Sequence, residues 1–133
     1  METKNKQLVS TPNAPAWEGL PYPQAVKVGP WVFVSGQLGR DESTGEAATG
    51  IEEQTELVFQ YIKAILESAG ASMGDVVKTL CYLTNRERDY HKFNQVYEKY
   101  ITTAARSVAQ VAALAPGYVV EIEVVAFIPN IEL

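Results

Sequence analysis

The sequence predicts an α+β fold, a mixed six-stranded sheet with two helices on one face. Three observations carry that expectation. From Val119 to Ile128, strict alternation puts Val120, Ile122, Val124, Ala126 and Ile128 on one apolar side of a strand. The other side then carries Val119, Glu121, Glu123, Val125 and Phe127. Two longer stretches, Ile51 to Ala69 and Arg88 to Ile101, repeat their apolar residues at helical spacing instead. The remaining apolar runs are short and bounded by turn-forming residues, the pattern of strands.

The chain opens with Lys6 to Thr11, which reads as a short edge strand. Prolines at 12, 15, 21 and 23 deny the next stretch ladder donors, so residues 12 to 23 read as an ordered loop pinned by Trp17 and Tyr22. Gln24 to Val28 and Trp31 to Ser35 form a hairpin about Gly29 and Pro30. Its end, VSGQLG, has two readings: Ser35 and Gly36 present a hydroxyl and a close-approaching backbone to a ligand, or a strand simply runs into a turn. DESTGE, Asp41 to Glu46, reads as a turn-rich loop.

The helix over 51–69 has Val58, Ile62, Ile65, Leu66 and Ala69 on one stripe, Glu52 and Glu53 in its first turn, and Gly70 placed as a C′ glycine. Asp75 to Thr84 reads as a central strand. The second helix carries Tyr90, Phe93, Tyr97, Tyr100 and Ile101 along one stripe, an aromatic spacing expected of core. Two runs close the chain, joined by a turn at Ala115, Pro116 and Gly117, and each holds a charge out of place in a strand core: Arg106 in the first and Glu121 in the second. Two helices cover only one sheet face. The mixed apolar and acidic second face is therefore expected to be buried against other subunits, which predicts a homo-oligomer with a polar site left open.

Composition narrows the chemistry. A length of 133 residues fits one domain, 1–133, with a core that needs no disulfide or metal. The single cysteine, Cys81, excludes an internal disulfide and lies in an apolar strand pattern, so it reads as a buried inert thiol. A formal charge of −5 without a basic stripe opposes nucleic acid as a partner, because phosphate binding draws on clustered Lys and Arg. Neither a signal-peptide pattern nor a membrane-spanning run is present, which makes the expected location cytoplasmic and membrane partners unexpected. The one histidine, His91, stands among charged residues and reads as a solvated surface group rather than a metal ligand or catalytic base. Dinucleotide, nucleoside triphosphate and serine-hydrolase motifs are missing. What remains is an arginine, a carboxylate and small polar groups, a set suited to a small anionic substrate and a water-driven step.

The segments APAWEGLPYPQAVKVG, FVSGQLG, GIEEQT, GASMGDVVKTLCYLT, FNQVYEKY, ARSVAQVAAL and VEIEVVA occur in an order that resembles the RidA/YjgF family of enamine/imine deaminases over nearly the whole chain. The most specific match is the arginine and glutamate of the last two segments, 15 positions apart (121 − 106). The resemblance implies a homotrimer of chorismate-mutase-like subunits with a pocket at each subunit interface. It implies that Arg106 grips a substrate carboxylate, for which a planar fork of donors is suited, and that Glu121 holds and activates water. Tyr22, Ser35, Gly36 and Asn94 match positions that line the family's pocket. Beside this stands a structural reading of Arg106 and Glu121 as a cross-strand ion pair.

Departures from the family pattern are the inserted Leu20, Ala104 in place of a proline, Val108 in place of a side-chain donor, and a short link from Tyr100 to Arg106. The activity implied is hydrolysis of 2-enamino or 2-imino acids to 2-oxo acids and ammonia, with neither metal nor organic cofactor. Two other classes stay open: a binding module for 2-oxo acids or small carboxylates, and a ribonuclease or translation inhibitor, which the acidic balance disfavours.

Overall fold

The computed structural model of the protein describes residues 5–129. Its strands are β1 (Gln7–Val9), β2 (Ala25–Val28), β3 (Trp31–Leu38), β4 (Arg40–Asp41), β5 (Glu46–Ala47), β6 (Val76–Leu83), β7 (Ala105–Gln110) and β8 (Val120–Phe127). Helix α1 (Gly50–Ser68) precedes β6, and α2 (Arg86–Tyr97) follows it. Six strands make one mixed sheet in the order β1-β2-β3-β8-β6-β7, in which only β6 and β7 run parallel.

Local chemistry sets the element ends. Gly29, at φ +56°, takes the first position of the two-residue loop between β2 and β3, a conformation costly for residues with a Cβ. Helix α1 closes in a Schellman arrangement: the amide of Ala71 donates to Leu66 O and that of Gly70, at φ +86°, to Glu67 O. Helix α2 begins two residues earlier than its apolar spacing suggests, because the Asn85 side chain accepts from the Arg88 amide and caps it. It ends at Tyr97, and residues 98–100 continue in turns rather than in helix.

Both helices pack on one sheet face. Val32 and Val34 of β3, Cys81 and Leu83 of β6, and Val120, Ile122, Val124 and Ala126 of β8 meet Val58, Phe59, Ile62, Ile65 and Leu66 of α1 and Phe93 of α2 in one buried cluster. Each large apolar side chain in it contributes roughly 1.5–3 kcal/mol by leaving water. The alternation of the last strand thus does what its pattern predicts. On the opposite face Trp31, Phe33 and Phe127 stay 41%, 46% and 39% exposed, with the Trp31 and Phe127 rings 4.8 Å apart edge to face.

Five sequence expectations need correction. The two closing runs are not a hairpin: β6 lies between β7 and β8, and residues 111–119 form the connection across its end. The cross-strand ion pair of Arg106 with Glu121 falls with that pairing. DESTGE is not only a loop, since Arg40 and Asp41 pair with Ala47 and Glu46 in a two-stranded hairpin. Strand β3 does not end at Ser35 but runs to Leu38 through an irregularity between Val34 and Gln37. Tyr22 does not pin the proline-rich loop, being 48% exposed. Gln24 does that instead: its Nε2 donates to the carbonyls of Thr11, Ala14 and Pro15, and its Oε1 accepts from the Thr11 amide.

Candidate active site

Arg106 faces the helices. It stands opposite Thr79 of β6, and partners opposite one another in neighbouring strands project to the same side. Thr79 is fully buried under α2, where its hydroxyl shares a 2.7 Å hydrogen bond with the Tyr97 hydroxyl. The Arg106 guanidinium carbon lies 4.8 Å from the centre of the Tyr97 ring, a cation–π seat. Its Nη1 donates to Asn94 Oδ1 at 2.8 Å and its Nη2 to the Tyr90 hydroxyl at 3.1 Å. Tyr90, Asn94 and Tyr97 recur at four and three residues along α2, so one helix face supplies the whole seat. The predicted aromatic stripe is core, with Phe93, Tyr97 and Ile101 buried and Tyr90 and Tyr100 packed against them, and from it Tyr90 and Tyr97 also hold the arginine. Their place beside Asn94 on one helical stripe was the signal available in the sequence.

Glu121 faces the other way. It pairs with Tyr82 of β6 and Leu38 of β3, and its neighbours Val120 and Ile122 point into the core. Its carboxylate is half-buried. Burial first, and the charge of nearby Glu123 second, push its pKa above the ordinary range. Glu123 accepts a 2.8 Å hydrogen bond from the Tyr82 hydroxyl, which with burial pushes that phenol up to about 12. Gly36 lies against Glu121 so closely that a methyl group there would come within 2.6 Å of Oε2. Next to it, Ser35 donates its hydroxyl hydrogen to Pro23 O at 2.7 Å, which ties the residue after Tyr22 to β3.

The predicted residues thus fall into two groups within one chain. Arg106 and Asn94 are in direct contact on the helix side; Glu121 and Gly36 are in contact on the open side, with Ser35 adjoining and Tyr22 tethered through Pro23. Cys81 is fully buried with its thiol pushed up to about 11, chiefly by burial, as an inert thiol should be. His91 is exposed and shares a 3.3 Å hydrogen bond with Gln95 Nε2. A cleft of about 470 Å³ between Thr49, Glu52, Arg88 and Lys92 holds none of the predicted site residues. Among the described residues no group of three or more His, Cys, Asp and Glu is placed to hold a metal, and no helix is long and apolar enough to cross a membrane.

The family model described as Endoribonuclease L-PSP matches residues 11–128. The chain belongs to this family, the RidA/YjgF proteins. A RutC family protein of Pyrococcus abyssi is 44% identical over 92% of the chain and 97% of its own length. A 2-iminobutanoate/2-iminopropanoate deaminase of Dermatophagoides farinae is 40% identical over 92% of the chain and 97% of its own length. Among solved structures, RidA from the Antarctic bacterium Psychrobacter sp. PAMC 21119 superposes with a TM-score of 0.85 at 47% identity, covering 92% of this chain and 99% of that one. TdcF of E. coli with bound serine superposes at 0.84 and 35% identity, covering 91% and 98%. In this RidA/YjgF chain, then, the mixed six-stranded sheet and its two helices are the family fold, and the two residue groups described above lie on its two faces.

Proposed function

We propose that the protein hydrolyses reactive 2-enamino and 2-imino acids to 2-oxo acids and ammonia without a cofactor. The observation that carries this reading is the Glu121 carboxylate, half-buried, raised in pKa and backed by Gly36, in a chain 40% identical to an imine deaminase. A carboxylate poised in this way takes a proton from water more readily than an ordinary surface glutamate.

In the proposed reaction Arg106 binds the substrate carboxylate and Glu121 orients a water. The water oxygen bonds to the imine carbon, the C=N electron pair moves to nitrogen, and Glu121 accepts the proton the water gives up. Glu121 then returns that proton to nitrogen, giving a carbinolamine; it next takes the carbinolamine's hydroxyl proton and passes it to the nitrogen as the C–N bond breaks and C=O forms, and ammonia leaves. Free imines hydrolyse unaided, so only a modest acceleration is asked of these groups.

Arg106 and Glu121 of one chain point to opposite sheet faces, and a small substrate cannot bridge them through the sheet. The reading therefore includes a homotrimer in which Glu121 of one subunit meets Arg106 of a neighbour at the interface. The exposed Trp31, Phe33 and Phe127 on the Glu121 face support such a contact, as burying them would remove apolar surface from water. The short link from Ile101 to Ala105 leaves little chain to overhang the mouth, so imines with large side chains should be accepted.

The test generates an imino acid with an amino-acid oxidase or threonine dehydratase in the presence of semicarbazide. Suppressed semicarbazone formation with faster oxo-acid release supports the deaminase. Binding of 2-oxobutanoate with no effect on trapping would replace it with the binding module.

A further inference from the structure

Two acceptors on α2 hold the two terminal nitrogens of Arg106, and only one of them, Asn94, belongs to the predicted site. The other is Tyr90, whose hydroxyl accepts from Nη2 at 3.1 Å while Asn94 Oδ1 accepts from Nη1 at 2.8 Å. A guanidinium is planar and offers five N–H groups. One held nitrogen leaves the plane free to tilt; two held nitrogens, with the Tyr97 ring at 4.8 Å, fix it. Three N–H groups then remain for a ligand: one on each terminal nitrogen and the Nε–H. Tyr90 is itself held, since the Arg86 guanidinium carbon lies 3.9 Å from its ring centre. Arg86 sits at the first turn of α2, where its amide donates to Gln110 Oε1 at the end of β7, the strand that carries Arg106. Hydrogen bonding with Asn94 and the charge of Arg106 keep the Tyr90 phenol below the ordinary tyrosine range, in keeping with its role as acceptor.

We propose that Tyr90 is a positioning residue that, held in turn by Arg86, sets the angle at which the Arg106 fork meets a substrate carboxylate. The inference rests on the deaminase reading only for the identity of the substrate. Orienting the fork acts on binding of the carboxylate in ground state and transition state alike, so its loss should raise KM and leave kcat nearly unchanged.

The experiment compares Tyr90→Phe, which keeps the ring under Arg86 and removes the acceptor oxygen, with the parent protein. It measures KM and kcat for an enzymatically generated imine and, by calorimetry, Kd for 2-oxobutanoate. The expected result is a rise of about tenfold in KM and Kd with kcat within about twofold, since a hydrogen bond to a charged group is lost. Arg86→Ala should shift both in the same direction by about threefold. Unchanged Kd and KM in Tyr90→Phe, or a fall in kcat alone, would overturn the assignment. The parent protein and Arg106→Ala separate the levels: no turnover by the parent sinks the deaminase reading, full turnover in Arg106→Ala sinks the anchor role of Arg106, and loss of turnover in Arg106→Ala beside an unaffected Tyr90→Phe sinks only the role of Tyr90.

Discussion

The side chain of Glu121 rests on the bare backbone of Gly36, so that a methyl group at Gly36 would lie 2.6 Å from its Oε2 and 2.8 Å from its Cδ. Gly36 does not adopt a positive φ, so the requirement for glycine here is space and not backbone freedom. Gly36→Ala should displace the carboxylate while leaving the fold intact. Turnover is expected to fall at least about tenfold, with a stability change below about 1 kcal/mol, because what must move is the far end of a flexible side chain. Steady-state rates and a urea melt on the same sample check both parts.

Glu121 itself gives a pH prediction. Its folded pKa is raised above the ordinary value of 4.5 by burial and then by Glu123. The stability it contributes is thus fully present below pH 4.5 and is lost as pH rises through the raised value, because the folded chain binds the proton more tightly than the unfolded one. Glu121→Gln removes this titration. Its melting temperature relative to the parent should increase from pH 4 to pH 7, and a constant difference across that range would contradict the assignment. The same variant should lose turnover yet keep 2-oxobutanoate binding.

Arg106→Lys preserves the charge but not the fork, nor the simultaneous bonds to Asn94 and Tyr90. Activity should drop about a hundredfold, roughly 2.7 kcal/mol of transition-state stabilisation. Kinetics on one imine, with light scattering to compare the assembly state of the variant with that of the parent, decide the point. A lysine variant with near-normal kcat/KM would show that charge alone suffices.

Gln54 of α1 is buried and joins the helix to the segment entering β8: its Nε2 donates to Ala48 O and Gly117 O, and its Oε1 accepts from the Val119 amide. Gln54→Leu keeps volume but leaves the buried Ala48 carbonyl, and the part-buried bonds to Gly117 and Val119, without their partner. The expected loss is about 2–4 kcal/mol of stability, read from the midpoint of chemical denaturation. A loss below about 0.5 kcal/mol would mean that the groups find other partners.

Much of this fold was legible in the letters because it is periodic. The alternation Val120, Ile122, Val124, Ala126 fixed both the strand and its buried side, and the apolar stripe ending before Gly70 fixed α1 nearly to the residue. The family was legible too, through short motifs spread along the chain. Which strands are neighbours was not, since β7 and β8 are consecutive in sequence yet separated by β6 in the sheet. Pairing depends on long-range hydrogen bonds and on the route of a connection, neither of which leaves a local pattern. For that reason only the tertiary structure decided that Arg106 and Glu121 lie on opposite faces, one seated on Tyr90, Asn94 and Tyr97 and the other on Gly36. Residue identity determined which chemical groups the protein possesses, and the side-chain period of two, applied to strands whose order the sequence does not encode locally, determined where each group points.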